Sequence, residues 1–270
     1  MTPRAIAIED PQDLRIAPYT AVRERDLTGR GDRFLVEGKV TLEVLAQRSR
    51  FPIESVFVAA HRLAAVAGIL AQLPAQVPVY TAPRARFEAI AGFPIHRGVL
   101  ACARKLPPPK LGALCAAPRL LVAFGLSNHD NVGALFRNAA ALGADAVLLD
   151  DQSCDPLYRK AIRVSAGTAL WLPFHHGARR SACLDALARS GHTVWALTPR
   201  ASAASIWDVR APAKLALMVG AEGPGLPPAV LAAATPVRVP LSGGVDSLNV
   251  ATAAAIAMAR AFASPGTASR

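Results

Sequence analysis

Four polar residues in the second half of the chain, Asn131, Glu222, Ser247 and Asn249, stand where apolar runs meet turns rich in Gly, Asn or Ser, and Arg137 lies one to two turns into the helix that follows Asn131. They fall in three stretches, Asn128 to Asp150, Leu217 to Leu226 and Val237 to Arg260. Backbone donors and uncovered side chains meet at strand ends, so such turns can hold a ligand and set reactive groups around it. Gly220, Gly223 and Gly225 would let backbone approach that ligand closely, because no Cβ intervenes. A nucleotide is the first candidate. However, Gly125 is followed by Leu126, Ser127 and Asn128 rather than by a G-x-G-x-x-G run, and Gly225 leads into Leu226, Pro227 and Pro228 rather than a Lys. A nucleotide-dependent oxidoreductase is weakened accordingly. Taken singly, each residue has a plainer reading. Arg137 can be a solvated helical cation, Glu222 a cap or surface acid, Ser247 and Asn249 helix N-caps, and the glycines a turn.

The elements that must position these residues alternate. After residue 118 the pattern reads strand Leu120 to Phe124, helix Val132 to Leu142, strand Ala146 to Leu149, helix Leu157 to Val164 and strand Leu170 to Phe174. It continues with helix Ser181 to Arg189, strands Thr193 to Leu197 and Leu215 to Val219, helix Pro228 to Ala234, strand Val237 to Val239 and helix Leu248 to Phe262. Apolar strands alternating with helices predict an α/β fold with a parallel sheet covered on both faces. Residues Lys105 to Pro118 carry a run of prolines and read as a stiff linker. Before it, strands Phe34 to Val36, Ser55 to Ala59, Val77 to Tyr80 and Val99 to Ala103 alternate with helices Lys39 to Gln47, Leu63 to Leu70 and Ala85 to Ile90, a small sandwich with one mixed sheet. The first twenty or so residues read as irregular. Four segments result: 1–25 irregular, 26–104 a small α/β domain, 105–118 the linker and 119–270 the larger α/β domain.

Composition narrows the partners. Lys and Arg total 30 against 19 acids, a formal charge of +11, and only five of the basic residues are Lys. Guanidinium forks suit phosphate and stack on bases, so a polyanion is the expected partner. An Arg- and Ala-favouring genome explains the choice of Arg over Lys but not the excess of positive charge. The residues through Lys110 and those after it are both net basic, so both halves can touch the same polyanion. Cys102, Cys115, Cys154 and Cys183 form no C-x-x-C pair, and His175 and His176 would point to opposite faces of a strand. Free, mostly buried thiols and no metal site follow. No apolar run reaches the roughly 18 to 20 residues of a membrane span, and the first residues carry no apolar signal region, so a cytoplasmic protein is expected.

The three stretches resemble, in order and spacing, the motifs of the SpoU/TrmH-type RNA 2′-O-ribose methyltransferases, a branch of the SPOUT superfamily. The first motif, N-x-G-A-x-x-R, is carried by Asn131, Gly133, Ala134 and Arg137. The second, a strand running into G-x-E-x-x-G-L, is carried by Gly220, Glu222, Gly225 and Leu226. The third is Pro240 followed by S-L-N-V at Ser247, Leu248, Asn249 and Val250. Arg163, Ser165 and Gly167 fit an intermediate R-x-S-x-G patch. Leu241 stands where Met is usual, Ala251 where Ser is common, and Asp246 adds a carboxylate before Ser247. The first domain is similar to the L30e-like substrate-binding domain that many of these enzymes carry, through Arg33 to Gly38 and Gly92 to Ala101.

The resemblance implies a trefoil-knotted domain whose cleft holds S-adenosylmethionine, with S-adenosylhomocysteine as product and no metal required. The cofactor would be gripped by the loops Leu197 to Pro199, Val219 to Gly225 and Val239 to Leu248, at Leu197, Thr198, Val219, Gly220, Gly225, Val239, Leu241, Ser247 and Leu248. Asn131, Arg137, Glu222, Ser247 and Asn249 would face the ribose. Ser247 would cap the last helix while Asn249 faces the ribose, and Glu222 would fix the Arg137 guanidinium through a two-point ion pair. Arg137 would stabilise the developing alkoxide rather than act as a base, since guanidinium keeps its proton. Arg33, Lys39, Arg97 and Arg163 would contact RNA. The implied partners are RNA, ribosomal before transfer RNA, and a second copy in a homodimer, with the arginine often supplied across the interface. The alternatives are a tRNA 2′-O-methyltransferase and a non-catalytic RNA-binding protein on the same scaffold.

Overall fold

The apolar runs of the first hundred residues assemble into one mixed sheet. The structure, a computed structural model, describes residues 5–20, 31–92 and 97–262. The first unit contains strand β1 (Ile6–Ala7), β2 (Arg33–Glu37), helix α1 (Lys39–Gln47), β3 (Ile53–Ala59), α2 (Leu63–Leu70), β4 (Val79–Ala82), α3 (Arg84–Ala91) and β5 (Val99–Arg104). Its strands lie in the order β1-β4-β3-β5-β2, with β5 antiparallel to both β3 and β2 and the other pairs parallel. The expected mixed sheet is therefore present. Of the stretch Gly92 to Ala101, residues 93–96 lie outside the described residues.

Within the N-terminal segment, expected to be irregular, the described residues 5–20 form two short elements. Ile6–Ala7 adds a parallel edge strand beside β4, and Leu14–Tyr19 forms a 3-10 turn capped by Asp13. That turn drives Tyr19 into the core against Phe57. A buried phenol needs partners. Tyr19 Oη shares a hydrogen bond with Ser55 Oγ at 2.8 Å and accepts one from Cys102 N at 3.1 Å. Burial raises the Tyr19 hydroxyl well above its ordinary pKa and pushes the Cys102 thiol up to about 12. A two-residue strand is too short to show alternation, which is why the sequence pattern misses it.

The second unit begins within the proline-rich stretch, at Pro108. It contains α4 (Leu111–Leu114), β6 (Arg119–Ala123), α5 (His129–Leu142) and β7 (Ala146–Asp150). After α6 (Arg159–Val164) come β8 (Phe174–Ala178), α7 (Arg180–Arg189), β9 (Thr193–Leu197), β10 (Ala204–Ser205), β11 (Leu215–Val219), α8 (Pro228–Ala232), β12 (Thr235–Arg238) and α9 (Val250–Ala261). The linker reading is thus corrected in part: α4 is helical, and Leu114 and Cys115 are buried in the core of this unit. The expected strand Leu170 to Phe174 also shifts. Thr168–Leu170 is a 3-10 turn, and the strand starts at Phe174 because Pro173 has no N–H and offers only its carbonyl, to Val147 N at 2.9 Å.

The segment Leu157–Trp171, which the sequence assigns to the second domain, groups by its contacts with the first unit. Arg159 pairs with Glu37 there, and Gly167 packs against Val44.

Seven strands of the second unit lie in the order β10-β12-β9-β11-β6-β7-β8, and every pairing is parallel. Leu120 to Ala123 and Leu215 to Val219 are essentially inaccessible, as expected for strands covered on both faces. Parallel pairing places the carboxyl ends of β6, β9, β11 and β12 along one edge. Helix α9 packs along α5, with Asn138 Nδ2 donating to Ala251 O at 3.0 Å. Among the described residues no helix is long and apolar enough to cross a membrane.

Candidate active site

The turn after β11 can only be made by glycine. A Cβ on Gly220 would lie 2.4 Å from the Gly225 carbonyl carbon and 2.5 Å from Leu226 N, because the chain doubles back on itself there. Gly225 N closes the loop onto Ala221 O at 3.0 Å, with Gly223 and Gly225 both at positive φ. This fold-back carries Glu222 at its exposed tip.

The loop forms one wall of a cleft of about 450 Å³ at the carboxyl edge of the sheet. Leu197, Thr198 and Pro199, following β9, form a second wall, and Val239, Leu241, Ser247 and Leu248, following β12, a third. Val219, Gly220 and Gly225 complete it, so all nine residues expected to hold a cofactor line a single cleft. Val250 and Ala253 of α9 also line it. Ala253 follows Asn249 by one helical turn and so faces the same side, a signal available in the sequence but not drawn from it.

Three residues from three motifs are hydrogen-bonded to one another. Glu222 Oε1 accepts from Asn131 Nδ2 at 2.7 Å and from Asn249 Nδ2 at 3.3 Å. Asn249 Nδ2 also donates to Asn131 Oδ1 at 2.9 Å. Asn131 is 6% exposed, so this pairing satisfies an amide that would otherwise be buried without a partner. The bonds to the carboxylate are charge-assisted and fix the side-chain planes of both amides.

Asn249 has a second duty. Its Oδ1 accepts from Ala251 N at 3.0 Å and Thr252 N at 3.3 Å, which makes it the N-cap of α9. The expectation that Ser247 caps this helix is therefore corrected: Ser247 lies two residues before the cap, exposed, on the cleft wall. Asn131 does not cap α5 either. Asn128 does, through Oδ1 to Asp130 N at 2.9 Å.

The expected ion pair between Glu222 and Arg137 is not formed. Arg137 is exposed and makes no hydrogen bond or ion pair among the described residues. Six residues on a helix leave side chains about 120° apart, so Arg137 points away from the face on which Asn131 meets Glu222. Glu222 is instead held by the two asparagines.

The four basic residues expected to contact RNA separate into two groups. Lys39 opens α1 and is exposed, and Arg97 folds over Gly38, its Cδ 2.8 Å from where a Cβ would stand. Arg163 Nη1 lies 3.9 Å from the carboxylate of Glu37. These three gather at the carboxyl end of β2. Arg33 begins the same strand and sits at its opposite end, bound to Glu54 at 2.6 Å, with Arg104 at 3.3 Å on the same carboxylate. Arg33 thus stands apart from the others, because a five-residue strand carries its first and last residues roughly 13 Å apart.

His175 and His176 serve separate loops, as their adjacency predicts. His175 Nδ1 meets Pro109 O at 2.8 Å and His176 Nε2 meets Ser153 O at 2.8 Å. Cys102, Cys115 and Cys183 are buried and free, and Cys154 is half-buried with its thiol pushed up to about 11 by desolvation.

The SpoU rRNA Methylase family model matches residues 118–259. An uncharacterized tRNA/rRNA methyltransferase of Mycobacterium bovis is 38% identical over 257 residues, covering 92% of this chain and 88% of that protein. A 23S rRNA (guanosine-2'-O-)-methyltransferase of Burkholderia sp is 30% identical over 190 residues, 68% of this chain and 76% of that one. A solved RNA 2'-O ribose methyltransferase superposes with a TM-score of 0.74 at 28% identity, over 94% of this chain and 97% of that chain.

Proposed function

The chain belongs to the SpoU rRNA Methylase family, and from that premise we propose that it transfers a methyl group from S-adenosylmethionine to a ribose 2′-hydroxyl in RNA. One observation carries this: the loops after β9, β11 and β12, the last two bearing the second and third motifs, close around one cleft, and Glu222 ties the first motif to the third. The cleft suits the cofactor chemically. Its walls are backbone and short apolar side chains, which can follow an adenosine closely, and the Glu222 carboxylate on its rim favours a cationic group. The cofactor, when bound, supplies an electrophilic methyl on a sulfonium that leaves readily.

What remains for the protein is positioning. Aligning the attacking oxygen can supply several kcal/mol of the barrier, up to about 7–11 in favourable cases. Asn131 and Asn249, their planes fixed by Glu222, orient the ribose, and Ser247 stands on the wall beside them. Arg137 stabilises the developing alkoxide and the neighbouring phosphate, and the hydroxyl proton leaves late or through water. Since Arg137 points away from Asn131 within one chain, its partner cleft is that of a second copy, in a homodimer through the knotted domain that the resemblance implies. The exposed Val245 and Leu248 beside the cleft are consistent with such a contact.

Ribosomal RNA is the favoured substrate and tRNA the alternative. The net positive charge, with Lys39, Arg97 and Arg163 gathered on the first unit, supports a folded RNA held by its phosphates. The test is methyl transfer from labelled cofactor to bulk rRNA and tRNA, followed by mapping of the 2′-O-methyl mark. Transfer to rRNA that falls roughly 100- to 1,000-fold in Arg137→Ala is expected. Binding of RNA without transfer to either class would favour the non-catalytic alternative.

A further inference from the structure

Asp150 ends β7 with a completely buried side chain and belongs to none of the residues assigned above to cofactor or ribose. A buried carboxylate costs several kcal/mol unless each lone pair is met, and a well-packed apolar residue fills a core at no such cost. Here the partners converge on one place. Oδ1 accepts from Gly125 N at 2.9 Å and from Ser153 Oγ at 2.6 Å, and Oδ2 accepts from Arg180 Nε at 2.7 Å. Ser153 Oγ accepts in turn from Leu126 N at 3.1 Å, and Cys154 N donates to Leu126 O at 2.8 Å. The gripped residues, Gly125 and Leu126, form the turn between β6 and α5.

That turn has little freedom on its other side. Gly125 has φ +71°, and a Cβ there would stand 3.2 Å from Arg180 Nη2 and 3.4 Å from the Cβ of Ala221, in the loop that carries Glu222. Two residues beyond Leu126, Asn128 caps α5, and three further on Asn131 reaches Glu222. The start of α5 is thus held by a buried charge, while Asn131 must meet its carboxylate to within a few tenths of an ångström.

We propose that Asp150, Ser153 and Arg180 are positioning residues for methyl transfer: they clamp the Gly125–Leu126 turn and thereby set α5, which carries Asn131 toward its own cleft and Arg137 toward that of the second copy. This rests on the reading of Asn131 and Arg137 given above. Misplacement of a reacting group by about 1 Å can cost roughly 100-fold in rate, so a partial loosening of the clamp is readable in turnover. Cofactor binding uses the loops after β9, β11 and β12, none of which the clamp's hydrogen bonds reach, and is therefore spared.

The experiment uses the full chain with Ser153→Ala, Asp150→Asn and Arg137→Ala. It measures kcat per cofactor-binding site, KM for rRNA, cofactor Kd by calorimetry and thermal stability. Ser153→Ala keeps the ion pair and the fold, so it remains informative even where Asp150→Asn does not fold. The expected result is a kcat about tenfold lower in Ser153→Ala and lower still in Asp150→Asn, with KM and Kd within about threefold of the parent. A role in stability alone would lower the number of binding sites and the melting temperature but leave kcat per site intact, and that outcome overturns the inference. Loss of transfer in Arg137→Ala with full kcat in Ser153→Ala overturns it alone. Full transfer by Arg137→Ala overturns the parent reading and this inference with it.

Discussion

The cleft after β11 and the basic cluster around Gly38 are built for opposite tolerances. In the cleft, Asn131, Glu222 and Asn249 meet through hydrogen bonds of 2.7 to 3.3 Å, and Gly220 leaves no room for a methyl group. Around Gly38, exposed Lys39 and Arg97 and half-exposed Arg163 sit at the ends of long flexible side chains. Short directional bonds fail when displaced by a fraction of an ångström, whereas charges acting through water lose little over the same distance and respond to salt instead. A methyl transfer needs the first kind of site and the capture of a polyanion needs the second.

The largest test of this contrast is Gly220→Ala. The added Cβ meets backbone that cannot move aside, so a penalty near the upper end of the about 1–3 kcal/mol for overpacking is expected, or roughly 100-fold weaker cofactor binding by calorimetry. Unchanged affinity would mean that this fold-back does not form the cofactor wall. Next is Asn249→Ala, which removes both a cap and a bridge to Glu222. It should cost about 1 kcal/mol of stability as a lost N-cap and reduce kcat by roughly 10- to 100-fold. Ser247→Ala should leave thermal stability unchanged, and equal destabilisation by the two would contradict the capping assignment.

Smaller effects are expected in the basic cluster. Lys39→Ala and Arg97→Ala should each weaken RNA binding by about threefold and flatten its dependence on salt by about one counterion, with kcat preserved. A fall in kcat at saturating RNA would place these residues in the chemistry rather than in capture. Arg33→Ala should do least. Its guanidinium is engaged with Glu54 at the far end of β2, so RNA affinity should stay within error, and an exposed ion pair contributes under about 1 kcal/mol to stability. A salt-dependent loss of binding in this variant would return Arg33 to the RNA-contacting set.

Much of the site was legible because its parts are locally encoded. Gly220 and Gly225 mark a backbone that must double back, Asn249 is a capping residue type just before an alanine-rich helix, and the apolar runs before them are buried strands. The nine expected cofactor contacts line one cleft because they lie at the ends of strands that pair in parallel. Other features left no local trace. Ile6–Ala7 is too short to alternate, Pro173 shifts β8 by withdrawing a donor, and Leu157–Trp171 joins the first unit through Arg159 and Gly167 despite its place in the sequence.

The sequence by itself determined which residues could cap, fold back or carry charge, since those capacities belong to the residue type and its neighbours. Only the tertiary structure decided who meets whom. Glu222 receives Asn131 and Asn249 rather than Arg137, and Asp150 receives Gly125, Ser153 and Arg180. The physical reason is that β11 lies between β9 and β6, which brings together groups 91 and 27 residues apart in the chain. Hydrogen bonds act over about 3 Å, so partnership follows strand order, and strand order is settled by the packing of the whole sheet.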